Sequence, residues 1–348
     1  MTKFRNNDYS AHMPHLDFTY DDKFYPDDGD LPDPQVNPVI PGSKVRLDKV
    51  GVTGVDLPIK FLRRDGSIEN LHVKASLYGS LDNPEAKGLN LSRFPILMHE
   101  EIANHLSLDG LKGILKRLQE KQGSKHVYCK LRFKYPWTQP ALRTRREASD
   151  EEKTLGRTFK TVEGVELSHD KMLGYIFYDC TLEGQLHREV TDTPYLRAGR
   201  DTYKFLLTVD YLYSSTCPCS FELAQHATRK RGKAANGHSQ RSLGKITVQF
   251  NPDKHVVWIE DIVEVARRQV PTEVVVICKR RDEQAFAELN GSNLLFTEDA
   301  SRLLYQGLDM MYDEGKILDF SVVTEHLESL HPWSATAVVS KGIPGGLR

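Results

Sequence analysis

Cysteine is scarce in this chain: five in 348 residues, at positions 129, 180, 217, 219 and 278. So sparse and odd a set excludes the disulfide framework of a small secreted domain. Charge excess is missing as well, because 47 Lys and Arg against 48 Asp and Glu leave a formal net charge of −1. No global field draws in nucleic acid or an anionic membrane, so an anionic ligand needs a local basic cluster. Long apolar runs are absent; stretches such as VVVIC at 274–278 are far too short to span a bilayer. No apolar region follows the opening MTKFRNNDYS, so no secretory signal is expected, and the cytoplasm is the expected compartment. Three strong signatures are lacking: the phosphate loop G-x-x-x-x-G-K-[ST], the dinucleotide fingerprint G-x-G-x-x-G and the zinc helix H-E-x-x-H. HEEIANH at 99–105 approaches the last without its second histidine in place and reads as a helix surface.

What is present is an ordinary globular composition, 39% hydrophobic and 27% charged, in a chain long enough for two domains or two similar halves. Residues 1–45 are rich in Asp, Pro, His and Asn and read as an extended arm. Two strands then meet at Asp65-Gly66, a strong hairpin signal. Two helices follow from Ser92, and 126–135 returns to strand alternation. A charged stretch at 143–170 reads as a solvated excursion. A second cycle begins with strands at 171–187 and 201–215, with Gly184 expected near a turn. A helix over 220–231, a strand at 244–251 and a helix bearing Ile259, Ile262, Val263 and Ala266 come next. EVVVICKR at 273–280 reads as a buried strand, 282–289 and 297–314 as helices, and two strands close the chain. The plan is α+β, antiparallel sheet with helices on one face, in halves over 46–165 and 166–348.

The sharpest chemical signal is YSSTCPCSFELAQH at 213–226, with Cys217 and Cys219 around one proline at a strand-to-helix junction. Paired thiols there suit a divalent metal, a nucleophile or a thiol–disulfide switch; the plain alternative is two small side chains at a turn. In GHSQRS, at 237–242, His238 is a potential metal ligand, while Gln240 and Arg241 offer contacts to phosphate. The basic run ATRKRGKAANG at 227–237 has no interleaved aromatics and reads as a solvated helix end. Asp282 and Glu283 emerge after an apolar run. Thr297, Glu298 and Asp299 open a helix, where capping alone would account for them. Glu328 and His331 form a carboxylate and imidazole pair of the kind that moves protons.

Taken in order, these segments resemble the type IB GTP cyclohydrolase family. The motifs are CPCS (217–220), H-x-Q-R-S (238–242), K-R-x-D-E (279–283), an aromatic-x-E-D helix start (296–299) and E-S-h-H (328–331, h apolar). Segments 48–59, 91–94 and 131–142 are also similar to the family. The resemblance implies a tunnelling fold of two tandem half-units, assembled as a homotetramer with sites between subunits. It implies conversion of GTP to 7,8-dihydroneopterin triphosphate and formate with one divalent ion per site (Zn, Mn or Fe). Carried over by position, Cys217, His238 and Glu283 would hold that ion. Cys217, Cys219, Glu328 and His331 would do the chemistry. Glu298 would anchor guanine, and Gln240, Arg241, Ser242 and Arg93 would bind the substrate.

The sequence departs from the family at Asn90, Leu243 and Trp333, where His is common, and at Phe221, where Lys commonly follows CPCS. These departures keep open a paralogue that opens the guanine ring of GTP or another guanine nucleotide without completing the pterin. A zinc-structured nucleic-acid binder is the alternative outside enzymes. Structural zinc normally takes four protein ligands in paired cysteine spacings, and only one close pair exists here.

Overall fold

The computed structural model describes residues 40–102, 108–143, 150–156, 158–160, 166–168, 173–193 and 196–347. The N-terminal arm lies almost wholly outside them, as does much of the 143–170 excursion. The described part of Met1–Val45 groups with Asn83–Gly88, separately from the unit formed by Arg46–Asp82 and Leu89–Arg348. The larger unit carries every residue discussed below.

Its frame is one antiparallel sheet of eight strands. In spatial order these are β1 (Leu47–Leu62), β2 (Ile68–Leu81), β3 (His126–Pro140), β6 (Leu173–Thr193), β7 (Leu196–Thr216), β8 (Ser239–Phe250), β9 (Asp319–His326) and β10 (Ala335–Ser340). The short helix α3 (Asp150–Thr154) and two short strands, β4 (Thr158–Lys160) and β5 (Glu166–Ser168), which pair separately, lie within the excursion. The helices α1 (Arg93–Ile102) and α2 (Leu108–Gln122) connect β2 to β3. Between β8 and β9 run α5 (Ile259–Gln269), α6 (Arg280–Ser292) and α7 (Thr297–Asp313). Two strands, packed helices (two in the first cycle, three in the second) and two strands thus occur twice, in keeping with the tandem half-units expected from the sequence. The first cycle ends with β6, one strand beyond the join near residue 165 read from the sequence.

Alternation with period two explains which face is covered. Val127, Cys129, Leu131, Phe133 and Tyr135 of β3 are buried, while Lys130, Arg132 and Lys134 point the other way. In the second cycle the buried row is Phe205, Leu207, Val209, Tyr211 and Tyr213 on β7, with Ile246, Val248 and Phe250 on β8. Ile259, Ile262, Val263 and Ala266 of α5 and Ala300, Leu304 and Leu308 of α7 cover it. At one end of this face the apolar row gives way to Ser215, Gln240, Ser242 and His326, all still buried.

Two local expectations fail. Gly184 lies in the middle of β6, where a Cβ would come within 2.9 Å of Leu111 and Leu115; the glycine lets α2 rest on the sheet. EVVVICKR is not a strand, since Glu273 makes only an isolated bridge to Tyr213. The cause is a split in the sheet: β6 pairs with β7 only from Cys180 opposite Val209 onward. Beside the split, backbone bonds to β7 hold only the start of the segment, from the Ser214 amide to the Thr272 carbonyl at 2.8 Å and from the Val274 amide to the Leu212 carbonyl at 3.3 Å, and side chains hold the rest. Gln139 donates to the Val274 carbonyl at 2.8 Å and accepts from the Val276 amide at 2.9 Å. Buried Glu273 accepts from Gln139 at 2.9 Å, from Arg267 at 2.8 Å and from the Tyr178 hydroxyl. Among the described residues no helix is long and apolar enough to cross a membrane.

Candidate active site

The polar end of the core is where β7 turns into α4 (Pro218–Arg231). Cys217 is the residue before the first turn, extended at φ −66° and ψ 120°, and Pro218 begins the helix. Proline suits that position because its fixed φ matches the helix and the amide it lacks would have had no partner there. Cys217 is half-buried and Cys219, the second residue of the helix, is exposed. The Cys217 amide donates to the His238 carbonyl at 3.2 Å, continuing the β7–β8 ladder one step past Thr216 and Ser239. From its other side the His238 amide donates to Ser220 Oγ at 3.1 Å. Gly237 makes this fit possible: a Cβ there would lie 2.8 Å from the Phe221 Cα. Two motifs far apart in the chain therefore converge through their backbones.

The side chains continue inward. His238 Nδ1 is 3.0 Å from Gln240 Oε1, 3.5 Å from Ser329 Oγ and 3.7 Å from Glu328 Oε2. Gln240 Nε2 donates to Ser215 Oγ at 2.9 Å and to Glu328 Oε1 at 3.5 Å. Ser215 Oγ meets Ser242 Oγ at 2.8 Å and His326 Nδ1 at 3.2 Å, and the Tyr213 hydroxyl lies 3.0 Å from His326 Nε2. Burial pushes the His326 imidazole down to about 4, against the opposing pull of the Glu298 charge. Leu327 N–H donates to the Arg241 carbonyl, which fixes the turn carrying Glu328 and Ser329 beside β8.

Tyr213, Ser215 and His326 were not singled out in the sequence. Their signal was available: alternation places the two β7 residues on the buried face, and a polar residue on such a face needs partners.

The remaining expected residues are spread out. Gln240 and Ser242 are buried while Arg241 is exposed, because neighbours on a strand face opposite ways. Only Arg241 of that trio therefore looks outward. Glu283 is exposed in the first turn of α6; desolvation raises the Cys278 thiol, and the Glu283 charge adds to it. Its neighbour Asp282 is buried and caps the helix, accepting from the amides of Lys279 at 2.9 Å and Arg143 at 2.7 Å. Among the described residues no three His, Cys, Asp or Glu side chains gather closely enough to share a metal ion. The expected meeting of Cys217, His238 and Glu283 is thus not completed within one chain.

Glu298 is exposed near the start of α7. The helix is capped by Asp299, which accepts from the Phe296 amide at 3.2 Å, whereas Thr297 turns its hydroxyl to Thr324 at 3.0 Å. His331 stacks on exposed Trp333, with ring centroids 4.1 Å apart and planes 10° from parallel; the imidazole beside Glu328 is His238 instead. Arg93 starts α1 and donates to the Lys121 carbonyl at 2.8 Å. The basic run ends α4 with Arg229, Lys230 and Arg231 before Gly232, whose φ of 62° closes the helix, so these cations face its negative pole.

Cys217 and His238 are neighbours through their backbones and Glu328 lies next to the imidazole, and thiol, imidazole and carboxylate are the side-chain types that bind a borderline-soft divalent ion or move protons. Comparison with known proteins gives the family. The model of the family described as type I GTP cyclohydrolase folE2 matches residues 31–170 and 160–337. A GTP cyclohydrolase FolE2 from Ruegeria sp. (strain TM1040) is 35% identical over 333 residues, covering 91% of this chain and 78% of its own. A second, from Roseobacter denitrificans, is 34% identical over 335 residues, covering 94% and 80%. Among solved structures, uricase from Arthrobacter globiformis aligns over 89% of this chain and 97% of its own at 9% identity, with a TM-score of 0.42. With a family model spanning both cycles and relatives alike over most of their length, the chain belongs to the type I GTP cyclohydrolase folE2 family.

Proposed function

We propose that this protein is a metal-dependent GTP cyclohydrolase that converts GTP and water to 7,8-dihydroneopterin triphosphate and formate at the Cys217 and His238 end of the sheet. The observation that carries this is the hydrogen bond from the Cys217 amide to the His238 carbonyl, which joins the two most chemical motifs. The finer type IB assignment rests on the order of the motifs. Cys217 and His238 would hold a divalent ion, with Glu283 as the third ligand carried over from the motif. Such an ion, when bound, lowers the pKa of a coordinated water so that it can attack C8 of guanine, a poor electrophile.

The other roles follow from where the side chains face. Glu328, beside the His238 ring, is suited to move the protons of ring opening, with the exposed Cys219 thiol and His331 serving later steps. Glu298, exposed and not used as a cap, can accept from the N1–H and 2-amino group of guanine and so reject adenine. Arg241 and Arg93 would meet the triphosphate. Exposed Tyr175, Phe177, Leu330, Trp333 and Val338 favour a homo-oligomer, which we read as a tetramer with shared sites in the cytoplasm.

A second reading has one specific support. His331 is stacked on Trp333, a position where the family commonly has His, so the later proton transfers have lost one imidazole. An enzyme of that kind would release formate and stop before the pterin.

Metal-replenished protein given GTP, with formate and the fluorescent oxidised pterin both measured, separates these. Equal yields of both are expected. Formate alone would favour the truncated reaction, and neither product would overturn the reading for GTP.

A further inference from the structure

Gln240 belongs to the phosphate-facing motif by sequence, yet its amide is buried and engaged on both sides. Its orientation follows from its neighbours. Glu328, as a carboxylate, can only accept, so the amide group facing Glu328 and Ser215 is the NH2. The carbonyl oxygen then faces His238 Nδ1 at 3.0 Å and needs a hydrogen from it. The next neighbours of Nδ1, Ser329 Oγ at 3.5 Å and Glu328 Oε2 at 3.7 Å, also accommodate a hydrogen there. Nδ1 therefore carries the proton, and Nε2 keeps its lone pair.

We propose that Gln240 is a positioning residue that fixes His238 as the Nδ1–H tautomer and so presents Nε2 as the ligand atom, with Ser215 and His326 locking the amide from behind. Ser215 Oγ accepts from Gln240 and is itself held by Ser242 and His326, whose far nitrogen is held by Tyr213. If Ser215 let go, the amide could turn over, present NH2 to Nδ1 and drive the proton to Nε2, which would block it as a ligand. This explains why a buried polar row extends the apolar core at this end: the row carries orientation from the sheet to one imidazole. The inference rests on the metal reading only for its purpose, since the tautomer exists without metal.

The test uses metal-free full-length protein labelled with 15N-histidine, with the His238 signal identified by its loss in His238→Gln. At mildly alkaline pH the wild type should show a protonated Nδ1 and an unprotonated Nε2. Gln240→Leu, similar in volume but lacking the acceptor, should move population to Nε2–H. Gln240→Glu, which keeps an acceptor, should preserve Nδ1–H; a purely space-filling role would predict the reverse order. Binding of Co2+, followed by its sulfur charge-transfer absorption, should weaken about 10–100-fold in Gln240→Leu, as is usual for partners of metal-bound histidine, and stay near wild type in Gln240→Glu. Ser215→Ala should weaken Co2+ binding although it touches neither metal nor substrate. A wild type with Nε2–H, or Co2+ affinity unchanged by Gln240→Leu, overturns the proposal. Wild-type protein that shows Nδ1–H but takes up no Co2+ upholds the tautomer and refutes the metal reading instead.

Discussion

His326 shows how much one side chain can hold at the polar end of the core. Its folded value of about 4 against an ordinary 6.5 means that the fold keeps the ring neutral. Above about pH 6.5 neither state binds the proton and the group adds no pH dependence. As pH falls from 6.5 toward 4 the unfolded chain takes up a proton that the folded one refuses, so stability is lost across that window. The full loss is on the order of 3 kcal/mol. Urea midpoints of wild type and His326→Gln should therefore differ most at neutral pH and converge toward pH 4; parallel curves would contradict the assignment. Gly237→Ala is the matching backbone test. Its Cβ would meet the Phe221 Cα, so the loop must move and take His238 away from Cys217. We expect a loss of about 1–3 kcal/mol, the usual cost of overpacking, together with weaker Co2+ binding. At this scale the sequence revealed residue types better than partners. Cys217 and His238 each stood out because their motifs are polar, compact and punctuated by Pro and Gly, while only the family resemblance paired them. Ser215 and Tyr213 were not, because only a strand's alternation and its neighbours say that they are buried.

Most elements followed from periodicity, and the exceptions share a cause. Gly184 and the 273–280 segment were misjudged because what decides them lies across the sheet. A helix pressing on β6 makes a mid-strand glycine necessary, and a split between β6 and β7 leaves an apolar segment without a ladder. Beyond the single bridge to β7, Gln139 holds this segment with three hydrogen bonds, one of them to the buried Glu273 carboxylate. Gln139→Leu should cost about 2–4 kcal/mol, with roughly 1 from each neutral bond and more from the charged one. It should also open 272–278 to limited proteolysis before the rest of the sheet is cut. Simultaneous cleavage throughout would mean that the segment is held by something else. The same reasoning accounts for Gln240, Arg241 and Ser242: three adjacent motif letters suggest one job, but a strand divides them between two faces.

For the whole molecule, the tandem plan was legible because strands, helices and strands recur in order, even without residue-level repetition. Assembly of the proposed site was only partly legible, since among the described residues no three donor side chains gather within one chain and His331 stacks on Trp333. The exposed aromatic and aliphatic side chains at β6 and around Trp333 are where the proposed homo-oligomer would bury surface. Light scattering on the purified protein should give a mass near four times the 39.6 kDa chain, and a monomer at micromolar concentration would contradict shared sites. The most direct test of the account is where a metal binds. Crystals of metal-loaded protein, measured at the metal's absorption edge, should show one anomalous peak per chain about 2.3 Å from Cys217 Sγ and about 2.0–2.1 Å from His238 Nε2, the usual zinc-class distances. A peak bound through His238 Nδ1, or metal held elsewhere with Cys217 and His238 bare, would contradict it.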